Sequence, residues 1–259
     1  MYARWAAEAD SRIALTGVQL RGRETRYREA PLQRMEEIVG EIAPAIVARA
    51  DAPYALFGHS MGALIAFEVA RELRRHGAAC PRALLLSAFR TPGEPSRTKH
   101  VLDLSDEEFI AYVSERYGTL PPAILADKEL LAHYLPAMRA DLAVLSTHHS
   151  LAEAPLESPF VLYNGLADPL ITRDQLQGWG ELTTGGCRER WFPGGHFYVR
   201  EQRSDVLAAI AADILLTIAV YHRLSHTHKL IELPSAVQHL SKRTHLVHKG
   251  IVTICYSEL

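Results

Sequence analysis

The sequence predicts an α/β protein with a mostly parallel, doubly wound sheet. Short apolar segments alternate with helical segments along the chain, which is typical of strands joined by helical crossovers. In addition, the run at residues 82–88 (RALLLSA) is apolar at nearly every position. A strand without polar alternation is expected where both faces of a sheet are covered, so this run favours a parallel sheet.

The individual helices and strands are predicted from the spacing of apolar residues and from the residues that typically begin or end such elements. Apolar residues recur with helical spacing over 32–50, and Pro44 within that segment predicts a kink or a break. Gly77 is placed to end the preceding helix, and Ser105 with Glu108 forms a capping-box pattern at the start of another. The predicted strands are 12–20, 54–57, 82–88, 160–164 and 188–192, and the predicted helices are the end of one at 1–9 and those at 32–50, 63–76, 104–118, 127–146, 172–179 and 201–220.

Composition excludes several classes of protein. The 259 residues carry 28 Lys+Arg and 30 Asp+Glu, so the formal charge of −2 argues against a nucleic-acid partner. The most apolar stretch, 208–221, contains Asp213 and is shorter than the roughly 20 residues of a membrane span. Three widely spaced cysteines form no CxxC pair, so we expect reduced thiols, no disulfide framework and a cytoplasmic location.

The chemistry is concentrated in Gly58-His59-Ser60-Met61-Gly62, which matches G-x-S-x-G. The pattern follows a predicted strand and opens a predicted helix, and this is the context that a nucleophile elbow requires. Glycines are needed there because the turn is sharp and neighbouring backbone approaches closely. We therefore predict Ser60 as a nucleophile and the Met61 backbone N–H as an oxyanion donor.

A serine nucleophile needs a base and a group that orients the base. Asp168 follows the predicted strand 160–164, and His196 follows the predicted strand 188–192. Both lie at carboxyl ends of parallel strands, and their order after Ser60 is the one this kind of elbow uses. His196 is therefore predicted as the base and Asp168 as its orienting acid, with Asp174 as an alternative acid inside the next helix.

Five segments together resemble type II thioesterases of non-ribosomal peptide and polyketide synthesis, and the related medium-chain thioesterase of fatty acid synthesis. These segments are 18–26 (VQLRGRETR), 56–63 (LFGHSMGA), 134–141 (YLPAMRAD), 165–169 (GLADP) and 193–198 (PGGHFY), within a resemblance covering about 2–219.

The resemblance implies an α/β-hydrolase fold in a domain at 1–219, with a helical lid at about 90–150. It also implies hydrolysis of acyl thioesters on the phosphopantetheine arm of an acyl or peptidyl carrier protein by Ser60, Asp168 and His196. No cofactor or metal is expected, because Ser-His-Asp acyl transfer needs only the protein and water. A carboxylesterase of the same fold and a catalytically weakened carrier-binding remnant stay open as alternatives.

Details of the lid stay open as well. Its apolar residues either line an acyl channel or only pack the lid; these are Leu120, Ile124, Leu125, Leu130 and Leu131. Arg139 and Asp141 form either a structural ion pair or part of a docking surface.

The sequence departs from the resemblance at both ends. Family members begin with a strand and a Gly-rich oxyanion loop that have no counterpart here, so an incomplete N-terminus and a gap beside the strand at 54–57 are expected. The His-rich segment 220–259 has no counterpart either and is expected to be a solvated, poorly ordered extension. Within it, His222, His226 and His228 have spacing compatible with a metal site, and 250–256 has strand character that would suit the vacant sheet position.

Overall fold

The computed structural model describes residues 4–49, 52–93, 99–118, 120, 122–229 and 250–255, with only the backbone described at 99, 100, 122, 218, 220–229 and 250–255. The described strands form one parallel sheet in the order β1-β6-β2-β3-β4-β5. Their bounds are β1 Ile13–Val18, β2 Tyr54–His59, β3 Leu84–Ser87, β4 Phe160–Gly165, β5 Cys187–Phe192 and β6 Gly250–Cys255.

Helices cover both faces of this sheet and form the lid. Their bounds are α1 Trp5–Glu8, α2 Met35–Val47, α3 Met61–Arg75, α4 Asp106–Tyr117, α5 Pro122–Ala126, α6 Lys128–Thr147, α7 Tyr198–Glu201 and α8 Arg203–Lys229, with 3-10 turns at Glu24–Arg26, Lys99–Asp103 and Asp174–Leu182. Most of the predicted strands and helices are confirmed, with shifts at their ends. The predicted helix at 172–179 is instead a 3-10 turn, α8 extends nine residues beyond its predicted end, and α5 and α7 were not predicted. The predicted break at Pro44 is wrong, because α2 continues to Val47 and buries Ile42 and Ile46 on either side of the proline.

Two apolar layers hold the sheet. On one face, α2 and α3 pack against side chains such as Leu56 and Leu84, and on the other α1 and α8 pack against Phe57 and Leu85. Burying each such side chain contributes about 1.5–3 kcal/mol. Both faces are therefore covered, which explains the unbroken apolar run that the sequence shows at β3.

β6 lies between β1 and β2, in the position that the resemblance left vacant. Thr253 is opposite Thr16 on one side and Leu56 on the other. Residues 250–255 are thus not a disordered extension, because backbone pairing on both sides satisfies hydrogen-bond ladders that would otherwise be left open.

The domain boundary near residue 219 stays a prediction, although α8 continues past it to Lys229. The remaining residues of the extension, and the histidine side chains of the suggested metal site, lie outside the described residues.

The lid is formed by α4, α5 and α6, which follow β3. Phe109, Val113 and Leu142 build a small apolar cluster of its own. Arg139 and Asp141 do not pair with each other: Arg139 bonds to Asp106 at 2.8 Å, while Asp141 forms an ion pair with Arg23 in the loop after β1. Burial raises the pKa of the Asp141 carboxyl, and the Arg23 guanidinium opposes that rise. Asp141 therefore ties the lid to the body of the fold.

Across the part of the chain that the structure describes, no helix is both long enough and apolar enough to cross a membrane.

Replacing Thr253 by proline tests the position of β6. Every interior residue of a strand paired on both sides donates its N–H to one neighbour, so Thr253→Pro removes a ladder bond and leaves a buried acceptor unpaired. We expect a loss of about 1–3 kcal/mol in the free energy of unfolding, measured in urea. Thr253→Ala, which keeps the N–H, is the control and is expected to lose less. Equal stabilities of the two variants would contradict the placement of β6.

Candidate active site

Ser60 lies in a strained turn between β2 and α3. Its backbone has φ 54° and ψ −124°, a region that residues other than glycine seldom adopt. Gly58 is required beside it, because a Cβ there would come within 1.9 Å of the Gly62 carbonyl oxygen. The turn has the geometry that the G-x-S-x-G pattern predicted, and it presents the Ser60 side chain at the carboxyl edge of the sheet.

Met61 is the first residue of α3, and its side chain is fully buried in the core. The first N–H groups of a helix have no acceptor within the helix, and the helix dipole favours negative charge near them. The Met61 N–H therefore lies next to Ser60 at the positive end of a 15-residue helix. This is the arrangement that an oxyanion donor needs.

The loops after β4 and β5 are pressed together, and this brings Asp168 to His196. A Cβ on Gly165 would lie 2.4 Å from the Gly195 carbonyl oxygen, so only glycine permits this approach. The Ala167 N–H donates to the Gly194 carbonyl at 2.9 Å and fixes the two loops to each other.

The three predicted residues form one hydrogen-bonded chain. His196 Nε2 is 3.1 Å from Ser60 Oγ, and His196 Nδ1 is 2.9 Å from Asp168 Oδ2. Asp168 is held by the Leu170 N–H, which donates to its other oxygen at 2.8 Å, and its side chain is inaccessible to solvent. The alternative acid Asp174 lies in the 3-10 turn and contacts Gln177 instead. The geometry thus favours Asp168 over Asp174 as the acid that orients His196.

A cavity of about 40 Å³ lies above Ser60 and His196. That volume has room for about three water-sized groups. Its apolar walls come from Phe89, Leu145, Leu170 and Ile171, while Arg90, Arg116 and Tyr117 contribute polar groups. The lid residues proposed for a channel (Leu120, Ile124, Leu125, Leu130 and Leu131) do not line this cavity.

Two residues beside the site, Tyr117 and His59, were not predicted from the sequence. Tyr117 of the lid packs its ring 5.9 Å from the His196 ring, and His59 packs its ring 5.2 Å away on the elbow. In the sequence, His59 occupies the first variable position of the G-x-S-x-G pattern, and that position carries no functional signal of its own. Tyr117 carried no signal, because its contact depends on how the lid folds back over the sheet.

The described residues include no group of three or more His, Cys, Asp or Glu side chains that could hold a metal ion.

The comparisons with known proteins agree on one family. The model of the thioesterase domain family matches residues 1–214. The gramicidin S biosynthesis protein GrsT of Aneurinibacillus migulanus is 32% identical over 215 residues, which is 83% of this chain and 84% of that protein. Thioesterase TesA of Mycobacterium marinum is 35% identical, over 81% of this chain and 83% of that protein.

A solved structure supports the same assignment. The crystal structure of ClbQ from the colibactin NRPS/PKS pathway superposes with a TM-score of 0.78 and 29% identity, covering 85% of this chain and 92% of that one. The two proteins therefore resemble each other in sequence as well as in fold.

Fold and site therefore define a hydrolase of the α/β-hydrolase class. Within that class the chain belongs to the thioesterase domain family, and it is a thioester hydrolase.

Backbone strain at Ser60 can be measured directly. Ser60→Gly and Ser60→Ala both remove the hydroxyl, but only glycine relaxes a positive φ. We expect the glycine variant to be more stable by about 1 kcal/mol, the strain relieved being larger than the chain entropy that glycine adds to the unfolded state. Urea unfolding of both variants measures this difference. An alanine variant as stable as the glycine variant would show that the strain does not exceed the chain entropy that glycine adds.

Proposed function

We propose that this chain hydrolyses acyl thioesters through Ser60, His196 and Asp168. The observation that carries the proposal is the continuous chain of contacts from Ser60 Oγ through both ring nitrogens of His196 to Asp168, at 3.1 and 2.9 Å. These are hydrogen-bonding distances, and the acid lies on the side of the imidazole away from the nucleophile. A base that is oriented in this way can take the serine proton during attack.

The reaction then proceeds in two halves. Ser60 Oγ attacks the thioester carbonyl while His196 takes its proton, and the Met61 N–H stabilises the developing oxyanion. The tetrahedral intermediate collapses, His196 returns the proton to the departing thiolate, and an acyl-serine remains. Water, deprotonated by His196, releases the carboxylic acid and restores Ser60. Asp168 holds the imidazole tautomer and stabilises the imidazolium formed in each half.

The proposed substrates are acyl groups on the phosphopantetheine arm of an acyl or peptidyl carrier protein. Their cleavage would either clear misprimed or stalled chains or release short to medium acyl chains. Two similar proteins support this class of substrate: one is described as a gramicidin S biosynthesis protein, and the other comes from an NRPS/PKS pathway. The cavity above Ser60 is lined by Tyr117 and Leu145 of the lid, so the lid contributes to the proposed acyl site. A cytoplasmic location, as expected from the cysteines, fits such a substrate and stays a prediction.

Substitutions in the three side chains test the catalytic roles. Asp168→Asn keeps the shape but removes the charge that orients His196, so we expect kcat to fall about 10⁴-fold. His196→Gln and Ser60→Ala are expected to lose at least as much. Asp174→Asn is the matched control, because Asp174 is an exposed carboxylate nearby that does not contact His196. Full activity of Asp168→Asn, or an equal loss in Asp174→Asn, would overturn the assignment of the acid.

Paired substrates distinguish the proposed activity from its alternatives. We expect butyryl-pantetheine to be cleaved faster than the oxygen ester of the same acyl group, and butyryl on a carrier protein faster still. Equal or faster cleavage of the oxygen ester would favour a carboxylesterase. Labelling of Ser60 by a fluorophosphonate reports an activated nucleophile without using any substrate. A folded sample that neither labels nor hydrolyses would instead favour a carrier-binding remnant.

A further inference from the structure

Three buried polar side chains form a second hydrogen-bonded chain behind the active site. His59 Nδ1 lies 2.8 Å from Ser87 Oγ, and Ser87 Oγ lies 2.6 Å from the Tyr198 hydroxyl. His59 ends β2, Ser87 ends β3, and Tyr198 begins α7 directly after the loop that carries His196. The chain therefore links the strand of the nucleophile to the segment of the base.

These side chains are almost completely shielded from water. His59 is 2% exposed, while Ser87 and Tyr198 are fully buried. A buried polar group without a partner is destabilising, so the direction of the hydrogen bonds matters. If Tyr198 donates to Ser87 and Ser87 donates to His59 Nδ1, both hydroxyl protons are used. The reverse direction would leave the Tyr198 proton without an acceptor among the residues that the structure describes, so the first arrangement is favoured.

This arrangement defines the state of the His59 ring. With Nδ1 accepting from Ser87, the ring is neutral and carries its proton on Nε2, which has no hydrogen-bond partner among the described residues. Burial lowers the pKa of His59 well below its ordinary value, and the neighbouring His196 and Arg200 lower it further. A neutral ring avoids placing a second positive charge beside His196 when His196 takes a proton.

The fixed His59 ring is one wall of the space that His196 occupies. The two imidazole rings lie 5.2 Å apart, and the Phe197 and Tyr117 rings lie 5.2 and 5.9 Å from His196 on other sides. Tyr198 is itself held in place by stacking on Phe192, with ring centroids 5.2 Å apart. The rotamer of His196 thus depends on these surrounding rings as well as on its hydrogen bonds to Ser60 and Asp168.

We propose that Ser87 and Tyr198 are positioning residues, which orient the His59 ring and through it hold His196 between Ser60 and Asp168. The proposal rests on the proposed function in taking His196 as the base. It extends that function by assigning a catalytic contribution to two hydroxyl groups that do not contact the substrate.

Removal of one hydroxyl at a time tests the proposal. In Tyr198→Phe and in Ser87→Ala we expect kcat to fall about tenfold with KM within about twofold of the parent, because orientation is lost while the acyl site is intact. The rate of Ser60 labelling by a fluorophosphonate should fall by a similar factor, since it needs the same base. The double variant should lose little more than either single variant, because both break one chain.

Tyr163→Phe is the matched control. Tyr163 is fully buried in the same aromatic stack, with its ring 5.8 Å from Phe192, but its hydroxyl bonds to Asp213 on α8 instead of to Ser87. Losing that hydroxyl should lower the free energy of unfolding and leave kcat and the labelling rate unchanged. Urea unfolding of all variants separates a loss of folded protein from a loss of orientation.

The outcomes distinguish this proposal from the proposed function. Parent-like kcat and labelling in folded Tyr198→Phe and Ser87→Ala, or an equal loss in Tyr163→Phe, would overturn the positioning role while leaving the Ser60 mechanism intact. If the parent itself neither labels at Ser60 nor depends on His196, the proposed function fails, and the positioning role fails with it.

Discussion

The active site depends on the close approach of two backbone segments at Gly58 and Gly62. Any side chain at Gly58 would overlap the Gly62 carbonyl, so the whole turn is possible only without one. That approach forces Ser60 into a positive φ, and the packing of β2 and α3 into the core supplies the energy that maintains it. The same turn sets the start of α3 and therefore the direction of the first helical N–H groups. One steric constraint thus fixes the positions of both the proposed nucleophile, Ser60, and the proposed oxyanion donor, the Met61 N–H.

The remaining parts of the site are positioned by buried polar contacts, which are stable only when each group has a partner. Asp168 is shielded from solvent yet receives both an imidazole and a backbone N–H. The Asp141 side chain is also buried, and its ion pair with Arg23 links the lid to the loop after β1. Because removing one partner of such a pair leaves a buried charge, these contacts favour a single arrangement of lid and base.

Local patterns in the sequence were sufficient to predict β1 to β5, the turn at Ser60, and the positions of the proposed acid and base, Asp168 and His196, because each of these predictions depends on residues adjacent in the chain. The glycines mark the turn, and the strands that precede the acid and the base place both at the same edge. Features that depend on distant residues were not predictable in this way. The partners of Arg139 and Asp141, the walls of the cavity, and the contact between the His59 and His196 rings all follow from packing between separate elements. The continuation of α2 beyond Pro44 shows the same effect, since contacts in the core outweigh the tendency of proline to end a helix.

The position of β6 has a consequence for how the protein is made. This strand completes the middle of the sheet, yet it follows every other described strand in the sequence, and Ile13 pairs with Gly250. During synthesis, β1 to β5 therefore leave the ribosome before the strand that joins β1 to the rest exists. Closing so long a loop is entropically unfavourable and slow. The backbone edges of β1 and β2 stay open during that interval and can pair with other chains, so newly made protein is expected to depend on chaperones more than a sheet assembled from consecutive strands.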